Sequence, residues 1–309
     1  MSSINFVFFG TSELSVKILD KLIKNGYVPS LVITAPDKPK GRKMIMTPSP
    51  VKVFTQAHNL KFDQPASLLT YNLPPSLYNL QPTTYNLFIV ASYGKIIPKS
   101  ILDIPKFGIL NVHPSLLPKF RGPSPIQSFI LSGEKKTGVT IMLMDEQVDH
   151  GKILTQRNLE VGLPNALGSP TSKWLNSKQL EEKLAEMSGQ MLVDVIPKWI
   201  SGEIKSQEQD HSQATFTKKI TKEDGLVDLK KDSPEIIYRK FLAFQPWPGI
   251  YYFIEKNGKP LSPKTSASQG KFRVIITDME IEDNRLKIKK VKPEGKKEMD
   301  YGDFLKGLN

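Results

Sequence analysis

The feature that most limits what this chain can fold into is an alternation in its first half. Short apolar runs, Ile4–Phe9, Leu31–Thr34, Leu87–Ala91, Gly108–Val112 and Val139–Met144, are separated by helical patterns or by turn-rich loops. Apolar runs without polar alternation read as strands covered on both faces. After the first run, Leu14, Ile18, Leu19 and Leu22 recur at helical spacing and stop at Gly26. Val51–Asn59 and Ser124–Leu131 read as further helices. Strands alternating with helices give an α/β domain, a parallel sheet with helices on both faces. None of the apolar runs approaches the ~20 residues of a membrane-spanning helix. The chain enters a strand-like run by Ile4 without a charged-then-apolar leader, so no cleaved targeting segment is expected.

The pattern changes after residue 200. Ile250–Glu255, Phe272–Ile281 and Arg285–Lys292 are strand candidates separated by Gly, Pro, Ser and Asn clusters, the signature of a small all-β module. The stretch Ser201–Ala214 is polar and nearly free of large apolar residues. At ~150 residues per domain, a chain of 309 residues favours two domains. The expected organisation is residues 1–200, a linker at 201–212, and residues 213–309. An amphipathic helix should run from Ser177 to about Trp199, after an irregular surface loop at Gly162–Asn176.

The chain has no cysteine, which excludes disulfides, thiolate catalysis and Cys-ligated zinc, and with only four histidines no metal site is expected. The net charge of +12 suits a polyanionic partner, but the excess is spread over both halves, so local clusters carry the argument. Lys38, Lys40, Arg42 and Lys43 crowd a Pro/Gly loop suited to phosphate contact; a solvated basic loop is the plainer alternative. Residues Arg285–Lys297 carry seven basic side chains and one acidic. There Arg285, Lys287 and Lys289 alternate with Leu286 and Ile288, so a strand would bury the apolar pair and present three cations together. Such a strand could equally be an edge charged against aggregation. Phe241, Phe244, Trp247 and Tyr251 are read as core rather than as a base-stacking platform.

In open parallel sheets, ligands bind beyond the C-terminal ends of the strands. The segments expected to converge there are Gly10-Thr11-Ser12, Ser92-Tyr93-Gly94, Asn111-Val112-His113, and Asp145 through Gly151. Asn111 and His113 are two apart, so their side chains share a face. Asp145, Glu146 and Asp149 follow the last run. An Asn–His–Asp set without a Ser or Cys nucleophile suits direct acyl transfer. The amide and the imidazolium would donate to an oxygen that becomes negative, and the carboxylate would orient the imidazole. A His before Pro at a strand end also serves purely structural ends, so the set alone leaves both readings open. There is no G-x-G-x-x-G and no G-x-x-x-x-G-K-[ST], which removes the main support for a dinucleotide oxidoreductase or an ATPase.

Asn111-Val112-His113-Pro114-Ser115-Leu116-Leu117-Pro118-Lys119-Phe120-Arg121-Gly122 resembles the NVHxSLLPxxRG signature of the folate-dependent formyltransferases. Thr137-Gly138-Val139-Thr140-Ile141-Met142, Met144-Asp145 and Val148-Asp149-His150-Gly151 resemble the same family's TGVTIMxMDxxxDxG. Pro36 through Lys43, Pro48 through Lys52, Lys222-Glu223-Asp224-Gly225, Pro246-Trp247-Pro248-Gly249 and Pro293 through Lys297 are most similar to members that act on methionyl initiator tRNA. The resemblance implies a Rossmann-like formyltransferase domain followed by an OB-type β-barrel. It implies formyl transfer from 10-formyltetrahydrofolate to the α-amino group of methionyl initiator tRNA, by a cytoplasmic monomer. By the same resemblance, Asn111, His113 and Asp149 would be catalytic. Ser115, Leu116, Leu117 and Pro118 would contact the folate, with Ile89, Ala91 and Tyr93 walling the pterin. Arg42 would lie in the RNA-contacting loop. Phe120 departs from the family's bulkier aromatic at that position. A formyltransferase acting on a smaller amine, a non-catalytic RNA-binding relative and a formate-releasing hydrolase are the rival readings.

Overall fold

The computed structural model describes residues 4–41, 43–71, 85–161, 174–255, 271–283 and 285–308. Arg42, and positions 162–173 of the loop expected at Gly162–Asn176, lie outside the described residues. The chain divides into two compact units. One comprises Met1–Pro123, Thr137–Leu159 and Glu181–Thr217; the other comprises Ser124–Lys136, Glu160–Leu180 and Lys218–Asn309.

The elements run in chain order β1 (Phe6–Gly10), α1 (Glu13–Lys24), β2 (Leu31–Ile33), β3 (Lys38–Lys40), β4 (Ile45–Thr47), α2 (Pro50–Ala57), β5 (Phe62–Asp63), β6 (Leu87–Ala91), α3 (Lys99–Leu102), β7 (Ile109–His113), α4 (Pro125–Ser132), β8 (Lys136–Leu143), β9 (Ile153–Glu160) and α5 (Ser177–Ile200). The sheet order is β5-β2-β1-β6-β7-β8-β9. From β5 to β7 neighbours are parallel. Strand β8 is antiparallel to β7, pairing Leu110 with Leu143 and His113 with Thr140.

Strands β1, β6 and β7 are buried along their whole length, as their unbroken apolar runs require. One core cluster gathers Val7, Phe9, Ile33, Phe88, Val90, Tyr93 and Ile109. The Phe9 ring lies 5.5 Å from both Phe88 and Tyr93, tilted against one and edge-on to the other. Burying each such ring stabilises the fold by roughly 1.5–3 kcal/mol. Helix α1 starts at a capping box: Ser12 Oγ accepts from Ser15 N–H, and Ser15 Oγ accepts from Ser12 N–H. Ser15 Oγ also donates to the Ala91 carbonyl at 2.6 Å, which ties the helix start to the end of β6. This approach leaves no room at Gly10, where a Cβ would lie 2.7 Å from both Phe8 and Ser15 side-chain atoms.

The second unit continues with α6 (Pro234–Ala243), β10 (Ile250–Glu255), β11 (Lys271–Glu282), β12 (Arg285–Pro293), β13 (Met299–Asp300) and α7 (Tyr301–Lys306). Its strands form an antiparallel sheet in the order β10-β11-β12-β13. Phe244, Ile250, Ile254, Val274, Ile276 and Val291 are buried in this unit. Helix α6 packs on β11 and β12 and on α4, and α7 packs on β12 and β13. These helices add to the all-β module read from the sequence. Ser233 caps α6 ahead of Pro234 at the first turn, and Ile237 and Phe241, one turn apart, are buried. Phe241 and Phe244 are core, as expected, while Trp247 is exposed.

Candidate active site

The alternation of side chains along β7 puts Asn111 and His113 on one face, and both are buried. Asn111 Nδ2 donates to Asp149 Oδ1 at 3.2 Å, and His113 Nδ1 lies 3.6 Å from the same oxygen. The other carboxylate oxygen accepts the backbone N–H of Gly122 at 2.7 Å. On its far side, His113 Nε2 faces the Phe120 carbonyl at 3.0 Å. Both ring nitrogens therefore meet acceptors, so an imidazolium would satisfy the two together. The Phe120 carbonyl is aimed by a left-handed backbone, with φ 62°. The arrangement brings an amide donor into hydrogen-bond distance of a carboxylate and an imidazole to within ion-pair distance of it, groups of the kind that general acid–base chemistry at a carbonyl uses.

Asp149 does not arrive by the strand-end rule. Because β8 runs antiparallel, it ends beside the start of β7, and its following turn leaves from the edge away from His113. The turn doubles back: Leu143 N–H donates to the Lys152 carbonyl at 2.8 Å, and Asp149 adopts φ 48°. Gly151 sits so close to the Leu143 carbonyl that a Cβ would come within 1.8 Å of its oxygen. The D-x-G spacing thus folds the turn back onto the sheet and returns the carboxylate to Asn111.

The family described as "Formyl transferase" matches residues 3–196, and "Formyl transferase, C-terminal domain" matches residues 219–309. The methionyl-tRNA formyltransferase of Halalkalibacterium halodurans is 38% identical over 97% of this chain and 94% of its own length. That of Thermotoga maritima is 37% identical, again over 97% of this chain and 94% of its own length. The chain belongs to the methionyl-tRNA formyltransferase family. The solved methionyl-tRNA formyltransferase of Clostridium thermocellum superposes with a TM-score of 0.56 at 15% identity, covering 96% of this chain and 99% of that one, and so shares the fold.

The other residues read from the family motifs sit on the same strand ends or in exposed elements. Ser115, Leu116, Leu117 and Pro118 form the loop leaving β7. Ser115 Oγ is turned inward to the Lys119 carbonyl at 2.7 Å, and Leu117 N–H donates to Thr140 Oγ1 at 3.1 Å. Gln156 Nε2 donates to the Leu117 carbonyl at 2.8 Å, so this loop is braced from β8 and β9. Ile89 and Ala91 are fully buried in β6, whose end pairs with β7 through Ala91 and Val112. Tyr93 is buried, its carbonyl accepts from Thr11 Oγ1 at 3.2 Å, and burial beside the charge of Asp63 pushes its phenol up to about 12. Among the described residues no group of three or more His, Asp or Glu side chains is placed to hold a metal ion.

Of the basic clusters, Lys38 and Lys40 are exposed on the β3–β4 hairpin, and Lys43 is exposed at its turn beside the exposed side chains of Met44, Ile45 and Met46. Arg285, Lys287 and Lys289 are exposed on β12 with Leu286 and Ile288 half-buried between them. Lys287 and Lys289 both pair with Glu280 of the neighbouring strand β11. Hydrogen bonds from these two lysines hold the Glu280 carboxyl below its ordinary range.

Three further residues are linked to the 149–151 turn by hydrogen bonds and ring stacking and stand outside the residues that sequence reasoning proposes for the site. Gln209 and His211 lie in the stretch read as a linker, and Arg121 was read only as part of a motif. Gln209 is 5% exposed and Arg121 3% exposed, and Arg121 Nη2 donates to Gln209 Oε1 at 2.7 Å and to His211 Nδ1 at 2.8 Å. The His211 ring stacks on that of His150 with centroids 4.0 Å apart, and His150 Nδ1 meets Asp145 Oδ2 at 2.6 Å. The segment falls between the two family matches, in residues 197–218. A polar stretch carries no periodicity, so its burial left no mark; the one available signal was an Arg with no acidic neighbour in the chain around it.

Proposed function

We infer that this protein transfers the formyl group of 10-formyltetrahydrofolate to the α-amino group of methionyl initiator tRNA, acting as a monomer in the cytoplasm. The observation that carries the reading is the convergence of Asn111 and His113 on one Asp149 oxygen, in a chain 38% identical to a methionyl-tRNA formyltransferase over nearly its whole length. In the proposed mechanism the amine attacks the formyl carbon in its neutral form. With an amine pKa of about 7.7–8.0, activity should rise with pH toward that range. The new C–N bond pushes an electron pair onto the formyl oxygen. Asn111 offers that oxygen the amide N–H not given to Asp149, and His113 offers Nε2–H, exchanging the Phe120 carbonyl for the oxyanion. Asp149 holds the imidazole and takes the proton from the attacking amine through water. On collapse the oxygen's electron pair re-forms the carbonyl and the bond to the folate nitrogen breaks, the nitrogen leaving with the proton that Asp149 passes on through water. Ser115–Pro118, Ile89, Ala91 and Tyr93 are proposed to contact the folate. Lys38, Lys40, Arg42, Lys43, Arg285, Lys287 and Lys289 are proposed to contact the RNA.

The test is detection of N-formylmethionyl-tRNA from 10-formyltetrahydrofolate and methionyl-tRNA, followed by turnover of Asn111→Ala and His113→Ala at saturating substrates. Loss of one oxyanion donor should lower kcat by roughly 100- to 1000-fold. Near-normal turnover in both variants would remove the mechanism, and no formylated product from the unaltered protein would remove the function.

A further inference from the structure

We propose that Gln209 is a positioning residue for Asp149, and that the polar segment around it completes the reaction centre. The inference rests on the formyl-transfer reading. Both N–H groups of the Gln209 amide are engaged: Nε2 donates to the Asp149 carbonyl at 3.0 Å and to the Gly151 carbonyl at 2.7 Å. Its Oε1 accepts from the Arg121 guanidinium at 2.7 Å, a charge-assisted bond that polarises the amide and strengthens its donors. The side chain thus grips the 149–151 turn on both sides of His150. That turn needs holding. Asp149 has φ 48°, a conformation that side-chain-bearing residues adopt rarely and keep only where the surroundings over-determine it. From the other end, Arg121 is followed by Gly122, whose N–H binds the Asp149 carboxylate. Arg121, Gly122, Gln209 and Asp149 therefore close a loop: the Arg121 guanidinium holds Gln209, whose amide holds the Asp149 backbone, and the next N–H along the chain holds the Asp149 carboxylate.

The segment that delivers Gln209 is itself pinned. Gln207 exchanges backbone hydrogen bonds with Ile153 at 2.7 and 2.8 Å, and Arg121 N–H donates to the Thr215 carbonyl at 2.8 Å. A side chain set so rigidly over a strained turn controls where the carboxylate points, and a displacement of ~1 Å at a reacting centre costs about 100-fold in rate.

Gln209→Met removes donors and acceptor at near-constant volume; Gln209→Glu keeps the acceptor for Arg121 but loses both donors to the turn. Each is compared with the unaltered protein for kcat, for KM toward 10-formyltetrahydrofolate and methionyl-tRNA, and for thermal unfolding. Both variants are expected to lose about 10- to 100-fold in kcat, with each KM within about 3-fold. Gln209→Glu is the deciding variant if Gln209→Met does not fold. A folded Gln209→Glu with kcat within about 2-fold of the unaltered protein, or a loss confined to KM, overturns the proposal. An unaltered protein that makes no formylated product overturns instead the formyl-transfer reading on which it rests.

Discussion

Asp149 takes donors from Asn111 and Gly122 while facing His113. An amide at this position would turn an N–H toward one of those donors, so Asp149→Asn breaks the hydrogen-bond pattern while keeping the shape. It should lower kcat by roughly 100- to 10,000-fold, the range of a lost acid–base partner, with little change in thermal unfolding. A variant within about 3-fold of normal turnover would mean that the carboxylate is structural. A second carboxyl, Glu181, is half-buried. Burial pushes the Glu181 carboxyl above its ordinary value, outweighing the Leu14 backbone N–H that lowers it. The raised folded value means the ionised form is disfavoured in the native state, so the stability Glu181 contributes is full below the unfolded carboxylate pKa of ~4.3 and is lost as pH rises through the folded one. Glu181→Gln should therefore raise the melting temperature at pH 7, and the difference should fade as pH falls toward 4; an equal gain at both pH values would count against it. At this scale the sequence was readable where motif and periodicity coincide, as at Asn111 and His113. It was not readable at Gln209, whose partners lie 58 to 88 positions away and whose residue type carries no pattern.

Among the elements, the buried runs that became β1, β6 and β7 were legible because nothing but a two-sided burial explains an unbroken apolar run. Strand β9 was not, because the consecutive polar residues Gln156, Arg157 and Asn158 interrupt any apolar face. Helix α6 is not legible because Phe241 and Phe244 read as core whether the backbone around them is helix or strand. The direction of β8 was invisible too, since an antiparallel strand entering a parallel sheet has the same apolar pattern as a parallel one. The two basic elements now separate physically. The β3–β4 hairpin presents Lys38 and Lys40, both exposed, whereas Lys287 and Lys289 of β12 share the carboxylate of Glu280. A lysine already paired releases less on meeting a phosphate, because an existing partner must be given up. Lys38→Ala/Lys40→Ala should therefore reduce the salt slope of kcat/KM for methionyl-tRNA by about 1–2, and Lys287→Ala/Lys289→Ala by less, with KM for the folate unchanged in both. The reverse ranking would assign the RNA contact to β12.

At the scale of the whole chain, a surplus of twelve positive charges acts on a polyanion before any contact forms. Each phosphate neutralised on a duplex adds about 0.9 to the slope of log affinity against log salt. If about four lysines or arginines reach the acceptor arm, raising salt from ~50 to ~200 mM should lower kcat/KM for methionyl-tRNA by roughly 100-fold, since a fourfold change is raised to a power of about 3.6. The same series should move kcat far less at saturating methionyl-tRNA, because the groups proposed to act, Asn111 and His113, are buried, where screening is weak. This split also bears on the rival acceptors. A small amine, such as an amino-sugar nucleotide with its few phosphates, would give a shallow dependence, and an enzyme built for it would show no gain from the tRNA body. Competing methionyl-tRNA against the free aminoacyl-adenosine at low and high salt decides the matter. A tRNA preference that vanishes at high salt assigns the discrimination to the basic surface, whereas equal rates on both acceptors at low salt would mean that the positive charge serves another end.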